Sequence, residues 1–276
     1  MAITAQEVNN LRKMTGAGMM DCKKALVESE GDTELAIEIL RKKGQKVSES
    51  RAGRDTNEGS VFIKTSDDGS FGVLIALGCE TDFVAKNDDF QKLGQNILDV
   101  AFAEKPESQD ALKAMNIGNL TVQDTITEFV GKIGEKLEII GYESLTSELV
   151  VPYIHAGSKL GVLVALKNVD GEDVLNVGRD VAMQIAAMNP VSVDKGDVSQ
   201  EIVEKELKIG REQAIAEGKP ENIIERIAEG KLNKYFKDNT LLNQAFVKDN
   251  SLTVGKYLQS IKDGLTVVAF KRVVIG

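Results

Sequence analysis

The sequence predicts an α+β protein with a small three-helix unit, a core of two related α+β subdomains and an antiparallel helical hairpin. Three observations predict this fold class. The first forty residues carry helix-capping and helix-breaking signals at short intervals. An apolar strand with its hairpin and its helix then occurs twice. Later, two highly charged segments joined by a turn carry a thin apolar seam, with heptad spacing in the first segment.

The composition indicates a globular protein with room for two or three small domains. Hydrophobic residues make up 42%, charged residues 28%, and the net charge is −9. An acidic chain neutralises phosphates poorly, so we expect no direct binding of nucleic acid. Residues 1–54 are mildly basic, with ten Lys/Arg against eight Asp/Glu.

The sequence gives no sign of secretion, membrane insertion or metal binding. Its first residues lack a basic stretch followed by an apolar core, and no run approaches about 18 apolar residues. Two cysteines and one histidine lie far apart, without zinc spacing. We therefore expect a cytoplasmic protein with no cofactor and no membrane partner.

The N-terminal unit is predicted to hold three short helices within residues 4–43. Thr4 and Glu7 form a capping-box pattern, and Gly16-Ala-Gly18 interrupts the first helix. Gly31 ends a second helix over about 19–29, and Asp32 can cap the third. The polar stretch 44–58 predicts a linker. The apolar positions that define the helical faces are Val8, Leu11, Met14, Leu35, Ile37, Ile39 and Leu40.

An internal repeat follows the predicted linker. The run Gly72-Val-Leu-Ile-Ala-Leu77 matches Gly161-Val-Leu-Val-Ala-Leu166, and both are typical of buried strands. A short strand and a turn precede each run: 61–64 with Asp67-Asp-Gly69, and 150–155 with Gly157. The two copies therefore predict two hairpins of the same design.

A helix that ends in proline follows each apolar run, over 89–106 in the first copy and 173–190 in the second. Residues 79–89 make the first connection between strand and helix five residues longer than the second. This longer connection holds Phe83 and Val84 among charges, in a chain with only 5% aromatic residues. Two alternatives follow: Phe83 packs into its own core, or it contacts another molecule.

The C-terminal part contains the predicted helical hairpin. Charged segments 199–217 and 221–237 carry a thin apolar seam and are joined by Glu217-Gly-Lys-Pro220. The hairpin could project as a coiled-coil arm, form a homodimer or lie against the core. A helix over 253–261 and a strand over 265–275 complete the chain.

These elements predict four structural regions. Residues 1–54 form the three-helix domain and linker, and 55–145 form the first core subdomain. Residues 146–198 and 238–276 form the second core subdomain, into which the hairpin 199–237 is inserted.

No convincing active site emerges from the sequence. None of the Gly-Lys pairs continues as a phosphate-binding loop, and no strand leads into G-x-G-x-x-G. His155 stands alone at a strand end, and Cys22 is more simply a packing thiol than a nucleophile beside Lys23 and Lys24. The sequence therefore predicts a non-catalytic protein that acts by binding another protein.

Two long motifs resemble the bacterial elongation factor Ts family. One is Leu11-Arg-Lys-Met-Thr-Gly-Ala-Gly-Met-Met-Asp-Cys-Lys-Lys-Ala-Leu26, and the other is Cys79-Glu-Thr-Asp-Phe-Val-Ala-Lys86. Lys132-Ile-Gly-Glu135 and Tyr153-Ile-His-Ala-Gly157, with Gly161-Val-Leu-Val164, are further similarities. The resemblance runs in order along nearly the whole chain. Many family members continue into a C-terminal helical module, whereas this sequence ends at Gly276.

The resemblance implies a guanine-nucleotide exchange factor that binds elongation factor Tu, displaces Mg²⁺ and promotes GDP release. It also implies that the three-helix unit is similar to ubiquitin-associated domains. By position, Asp82 and Phe83 enter the partner near its magnesium site, and Thr81 and Val84 flank them. The further contacts implied are Arg12, Met19, Met20, Ile133, Gly134 and His155.

Two other functions compete with this interpretation. A scaffold would bind its partner through the hairpin without changing nucleotide release. An enzyme would depend on Cys22 or His155 and would turn over substrate with no partner present.

Overall fold

The computed structural model describes residues 3–170 and 174–276, and its helices and strands confirm the α+β class. The helices are α1 Ala5–Thr15, α2 Met19–Glu28, α3 Thr33–Arg51, α4 Asp82–Ala85, α5 Asp88–Glu104, α6 Gln109–Ala114, α7 Val122–Ile133, α8 Leu175–Met188, α9 Gln200–Ala216, α10 Glu221–Asn239 and α11 Val254–Ile261. The strands are β1 Glu58–Thr65, β2 Phe71–Cys79, β3 Asn116–Ile117, β4 Leu120–Thr121, β5 Leu137–Thr146, β6 Leu149–Ile154, β7 Leu160–Lys167, β8 Ala245–Phe246, β9 Asp249–Thr253 and β10 Thr266–Val274.

The helix signals of the N-terminal unit act as predicted. The Thr4 N–H donates to Glu7 Oε2 at 2.7 Å, which completes the capping box. Gly16 ends α1 in the left-handed conformation, with φ 66°. The Leu35 N–H donates to Asp32 Oδ1 at 3.0 Å and begins α3. These caps fix where each helix starts and stops.

The core of this unit differs in part from the predicted faces. Met14 and Leu35 are exposed, whereas Ala36 is fully buried. Ala36 therefore lies on the buried face of α3, where its small side chain lets α1 and α2 pack closely against α3. The buried cluster consists of Val8, Leu11, Cys22, Ala25, Leu26 and Ala36.

The predicted linker over 44–58 is wrong for its first half. Helix α3 continues to Arg51 without a break, and only residues 52–57 connect it to β1. Tertiary packing stabilises the extra turns, since Val47 packs against the first core cluster. This cluster joins the β1-β2-β5 sheet to the helices packed on it and includes Ile75, Phe90 and Val130. Gly44 also crosses Gly131 of α7 so closely that a Cβ on Gly131 would lie 2.6 Å from Gly44 Cα.

Both copies of the apolar run form the central strand of a three-stranded antiparallel sheet. The strand orders are β1-β2-β5 and β10-β7-β6. Phe62 pairs with Ile75 in the first hairpin, and Val151 pairs with Val164 at the equivalent place in the second. The two predicted hairpins are confirmed. Between the sheets, a further apolar cluster contains Val61, Leu74, Ala76, Val150, Leu163 and Ile275.

The proline-terminated helices also match between the copies. A Cβ on Gly94 of α5 would lie 2.1 Å from the Phe62 ring, and one on Gly178 of α8 would lie 2.4 Å from Val151. Glycine therefore lets each helix lie directly on the first strand of its hairpin. Helix α8 begins at Leu175, and its predicted start at 173 lies outside the described residues.

The correspondence between the two copies extends beyond the predicted repeat. In the first copy the two-stranded ribbon β3–β4 precedes α7, and in the second copy the ribbon β8–β9 precedes α11. Thr121 caps α7 and Thr253 caps α11, each from within a Leu-Thr-Val sequence. A third strand then pairs with the central strand of each sheet: β5 with β2 in the first copy and β10 with β7 in the second. The predicted C-terminal helix and strand are confirmed to within one residue.

Helices α9 and α10 form the hairpin and pack mainly on each other. A Cβ on Gly210 would lie 3.0 Å from Ala228 Cα, so small residues set the helix spacing. Arg211 donates to both carboxylate oxygens of Glu225, at 2.7 and 2.8 Å. At the base, the buried Gln184 Nε2 donates to Gln244 Oε1 at 3.0 Å. In the described part of the chain, no helix has the length and apolar character needed to cross a membrane.

Candidate partner-binding site

The longer connection of the first copy folds into the one-turn helix α4. Val84 and Ala85 on this turn are buried in the first core cluster. Phe83, between Asp82 and Val84, faces solvent with 83% of its surface exposed. The alternative that Phe83 packs into its own core is therefore wrong. Aromatic residues are enriched in protein–protein interfaces, and this exposed phenylalanine on an anchored turn is available for such a contact.

Asp82 begins α4 and forms an ion pair across the turn. Its Oδ2 lies 2.7 Å from Lys86 Nζ, four residues on. This hydrogen bond lowers the pKa of Asp82 and raises the pKa of Lys86. Both side chains are exposed, so their charges remain available at neutral pH beside Phe83.

Thr81 caps α4 and is itself held by the turn that follows α7. The Thr81 hydroxyl accepts a hydrogen bond from the Val84 N–H at 3.4 Å. The same hydroxyl donates to Glu135 Oε1 at 2.7 Å, and the Thr81 N–H donates to Glu135 Oε2 at 3.0 Å. Thr81 therefore supports the turn that presents Phe83.

Glu80 makes a second connection to the same turn. Its Oε1 accepts the Lys136 N–H at 2.7 Å, and its carboxylate also accepts two hydrogen bonds from Arg51, at 3.0 and 3.1 Å. Arg51 is the last residue of α3. The end of α3, the start of α4 and the turn after α7 are thus connected through one carboxylate.

The Gly16 loop of the N-terminal unit meets the core beside Lys132. A Cβ on Gly16 would lie 3.0 Å from Lys132 Nζ, and this Nζ lies 2.7 Å from Asp89 Oδ2 at the start of α5. Met19 and Met20 follow at the start of α2 and are 56% and 62% exposed. The loop that leads to the two methionines therefore lies beside Lys132, near the end of α7.

Ile133 and Gly134 lie at the end of α7, directly before the Glu135 that holds Thr81. Arg12 is exposed on α1. Ile133 packs partly against the first core cluster. Gly134 ends α7 with φ 81°, and nothing lies within 4 Å of where its Cβ would stand. A partner can therefore approach the Gly134 backbone closely.

His155 lies at the end of β6 in an exposed turn. Its Nδ1 is 2.8 Å from the Tyr153 hydroxyl. The turn is tied to the first sheet, because the Val61 N–H donates to Ser158 O at 2.7 Å. A surface groove has Asp82 and Lys86 on its lining together with residues 156–159 of this turn. The His155 turn therefore adjoins α4 from the second copy.

Neither cysteine is placed as an accessible nucleophile. Cys22 is fully buried in the N-terminal cluster, with its Sγ 3.6 Å from Ala17 O. Burial, together with the nearby charge of Glu135, raises the pKa of the buried Cys79 to about 12. Both positions fit packing thiols, as predicted for Cys22.

Of the predicted site residues, Thr81 to Val84 lie at α4, and Ile133, Gly134 and the His155 turn adjoin it. Arg12, Met19 and Met20 lie on the three-helix unit. Sequence reasoning missed the residues that hold α4 in place: Arg51, Glu80 and Glu135. Glu80 lies inside the Cys79–Lys86 motif and Glu135 inside Lys132-Ile-Gly-Glu135, but their reciprocal contacts join residues more than fifty positions apart. No local sequence pattern predicts such a pair of contacts.

Comparisons with known proteins identify the family of this chain. The family model "Elongation factor TS" matches residues 80–276. Elongation factor Ts of Amoebophilus asiaticus is 59% identical over 276 residues, which cover 100% of both chains. The elongation factors Ts of Cytophaga hutchinsonii and Porphyromonas gingivalis are 58% and 49% identical, with at least 98% of each chain covered. The chain belongs to the elongation factor Ts family of translation elongation factors.

Proposed function

We propose that this protein is the guanine-nucleotide exchange factor of elongation factor Tu, and that Phe83 displaces Mg²⁺ to release GDP. Membership of the elongation factor Ts family supports the partner and the activity. The observation that carries the role of Phe83 is its 83% exposure on a turn whose neighbours Val84 and Ala85 are buried. The protein then acts by binding, without catalysing a chemical reaction.

Burial of Phe83 in the partner supplies the driving force. A central aromatic residue of an interface contributes about 2–4 kcal/mol. Since about 1.4 kcal/mol corresponds to a tenfold change in affinity, this is about a 30- to 700-fold change in nucleotide affinity. The change requires that Phe83 fits the nucleotide-free partner better than the nucleotide-bound one, because a ligand shifts an equilibrium only by its differential affinity.

Asp82 acts beside Phe83 through its charge. A carboxylate next to the magnesium site competes with the nucleotide phosphates for the ion, which bridges those phosphates in P-loop GTPases. Thr81 and Val84 have a supporting role, because Thr81 is held by Glu135 and Val84 is buried. They place the two contact residues without reaching the partner themselves.

The remaining proposed contacts surround α4. Met19 and Met20 offer adaptable apolar surface to a helix of the partner, and Arg12 adds a positive charge. Ile133 and Gly134 allow a close approach near the nucleotide site. His155 contacts the partner from the second copy of the repeat.

The domain division is proposed together with this function. Residues 1–54 form a unit similar to ubiquitin-associated domains, 55–145 and 146–198 with 238–276 form the core subdomains, and 199–237 form the coiled-coil insertion. A homodimer through the hairpin is proposed as well, with the exposed Ile215 at the end of α9 on its contact surface. We place the protein in the cytoplasm, where translation occurs, with no direct contact to nucleic acid or membrane.

Release of a fluorescent GDP analogue from elongation factor Tu tests this function. The intact protein is expected to accelerate release strongly, and Phe83→Ala to lose most of that acceleration. Val268→Ala is the matched control, since Val268 is also an exposed apolar side chain but lies on β10. Equal acceleration by Phe83→Ala would exclude Phe83 as the wedge that displaces Mg²⁺, and no acceleration by the intact protein would favour the scaffold.

A further inference from the structure

We propose that Glu135 is a positioning residue for exchange, which acts by fixing the turn that carries Phe83. This inference rests on the proposed function of Phe83. Glu135 holds both the N–H and the hydroxyl of Thr81, at 3.0 and 2.7 Å. Thr81 in turn caps the helix on which Phe83 stands.

The contacts of Glu135 and Glu80 form a reciprocal clasp. The carboxylate of Glu135 accepts the backbone N–H of residue 81, and the carboxylate of Glu80 accepts the backbone N–H of residue 136 at 2.7 Å. We call these two contacts the clasp. Charge-assisted hydrogen bonds of this kind are short and strongly directional. Two of them in opposite directions fix both the distance and the relative orientation of the two segments.

Helix α4 needs such external support. It has four residues, and isolated helices of this length are unstable in water because nucleation is costly. Burial of Val84 and Ala85 holds one side of the turn. The clasp holds its beginning, so the turn that carries Phe83 is fixed from two directions although the Phe83 side chain itself is 83% exposed.

A fixed turn matters for binding, because ordering a mobile segment at an interface reduces affinity. A displacement of about 1 Å in a functional group can cost about 100-fold in rate. Loss of the clasp therefore reduces exchange even though Glu135 does not reach the partner. Glu135 differs in this from Asp82 and Phe83, which we place in the interface.

Glu135→Ala removes both bonds to Thr81 and is the principal variant. In Glu135→Gln, the amide oxygen can accept the Thr81 N–H and the NH₂ group can donate to the Thr81 hydroxyl. We expect Glu135→Ala to lower kcat/KM for GDP release about tenfold and Glu135→Gln to restore most of it. Glu143→Gln is the control: Glu143 lies on β5, pairs with Lys271 at 2.7 Å, and is remote from the clasp in the sheet register.

Two readouts separate positioning from direct contact. Amide hydrogen exchange at Val84 and Ala85 of the free protein should become at least about tenfold faster in Glu135→Ala. In the Phe83→Ala background, Glu135→Ala should cause little further loss of exchange activity, because it acts through Phe83. The double-mutant cycle measures this coupling directly.

Several outcomes would overturn the inference. Unchanged amide exchange in Glu135→Ala would show that the turn does not depend on the clasp. A full tenfold loss in the Phe83→Ala background would show that Glu135 acts independently. If Phe83→Ala loses activity but Glu135→Ala does not, the proposed function stands and the positioning role fails; if Phe83→Ala keeps full activity, the wedge itself fails.

Discussion

The crossing of α3 and α7 predicts that alanine at Gly131 destabilises the protein, although alanine favours helices. A Cβ at this position would lie 2.6 Å from Gly44 Cα, a distance that requires backbone movement. The two helices are also tied by Arg41 and Glu128, whose Nε and Oε1 lie 2.7 Å apart. Movement of α3 away from α7 therefore meets resistance.

The magnitude follows from two opposing effects. Replacing glycine by alanine within a helix stabilises by about 1 kcal/mol. Overpacking a tight contact costs about 1–3 kcal/mol. We therefore expect Gly131→Ala to lower the free energy of unfolding by about 0–2 kcal/mol.

Gly230 provides a matched control in the same protein. It lies within α10, and nothing stands within 4 Å of where its Cβ would be. Gly230→Ala should raise the free energy of unfolding by about 1 kcal/mol. Urea denaturation of both variants should then separate them by about 1–3 kcal/mol, the overpacking cost alone. If both alanines stabilise equally, α3 does not cross α7 as closely as the structure has it.

Three further predictions concern other parts of the chain. Gly94→Ala and Gly178→Ala should each lower the urea midpoint, because their Cβ atoms would lie 2.1 and 2.4 Å from the facing strands; unchanged midpoints would contradict the close helix packing. Asp68 accepts hydrogen bonds from two serines, which lower its pKa to about 2, so its stabilising contribution is present above about pH 4 and is lost as the pH falls towards 2. A carboxyl titration by NMR with a midpoint near 4 would refute this. Cys79, with its pKa raised to about 12, should react with iodoacetamide at pH 8 at least about 100-fold more slowly in the native protein than after unfolding, and equal rates would contradict its burial.

Local signals in the sequence predicted the elements whose boundaries depend on local chemistry. The Thr4 capping box, the Gly16 helix end and the Asp32 cap all form where the residues indicate. The repeated apolar runs became the two central strands, because unbroken β-branched and aliphatic residues suit a strand that is buried on both faces.

The errors arose where distant residues decide the structure. The polar residues after 43 read as a linker, but Gly44 and Val47 pack on the core and extend α3 by two turns. The Leu-Thr-Val sequence at 252–254 repeats the one at 120–122, but three residues are too few to indicate a repeat from sequence alone. The clasp of Glu80 and Glu135 likewise depends on contacts that no local pattern contains.

The reciprocal effect of nucleotide on binding of this protein tests the central claim most directly. Its affinity for elongation factor Tu would be measured by calorimetry with the partner nucleotide-free and with the partner loaded with GDP and Mg²⁺. Linkage requires the loss of affinity to equal the weakening of nucleotide binding. For the intact protein we expect a large loss, and for Phe83→Ala a loss smaller by about 30- to 700-fold. The same loss for both proteins would contradict the role of Phe83.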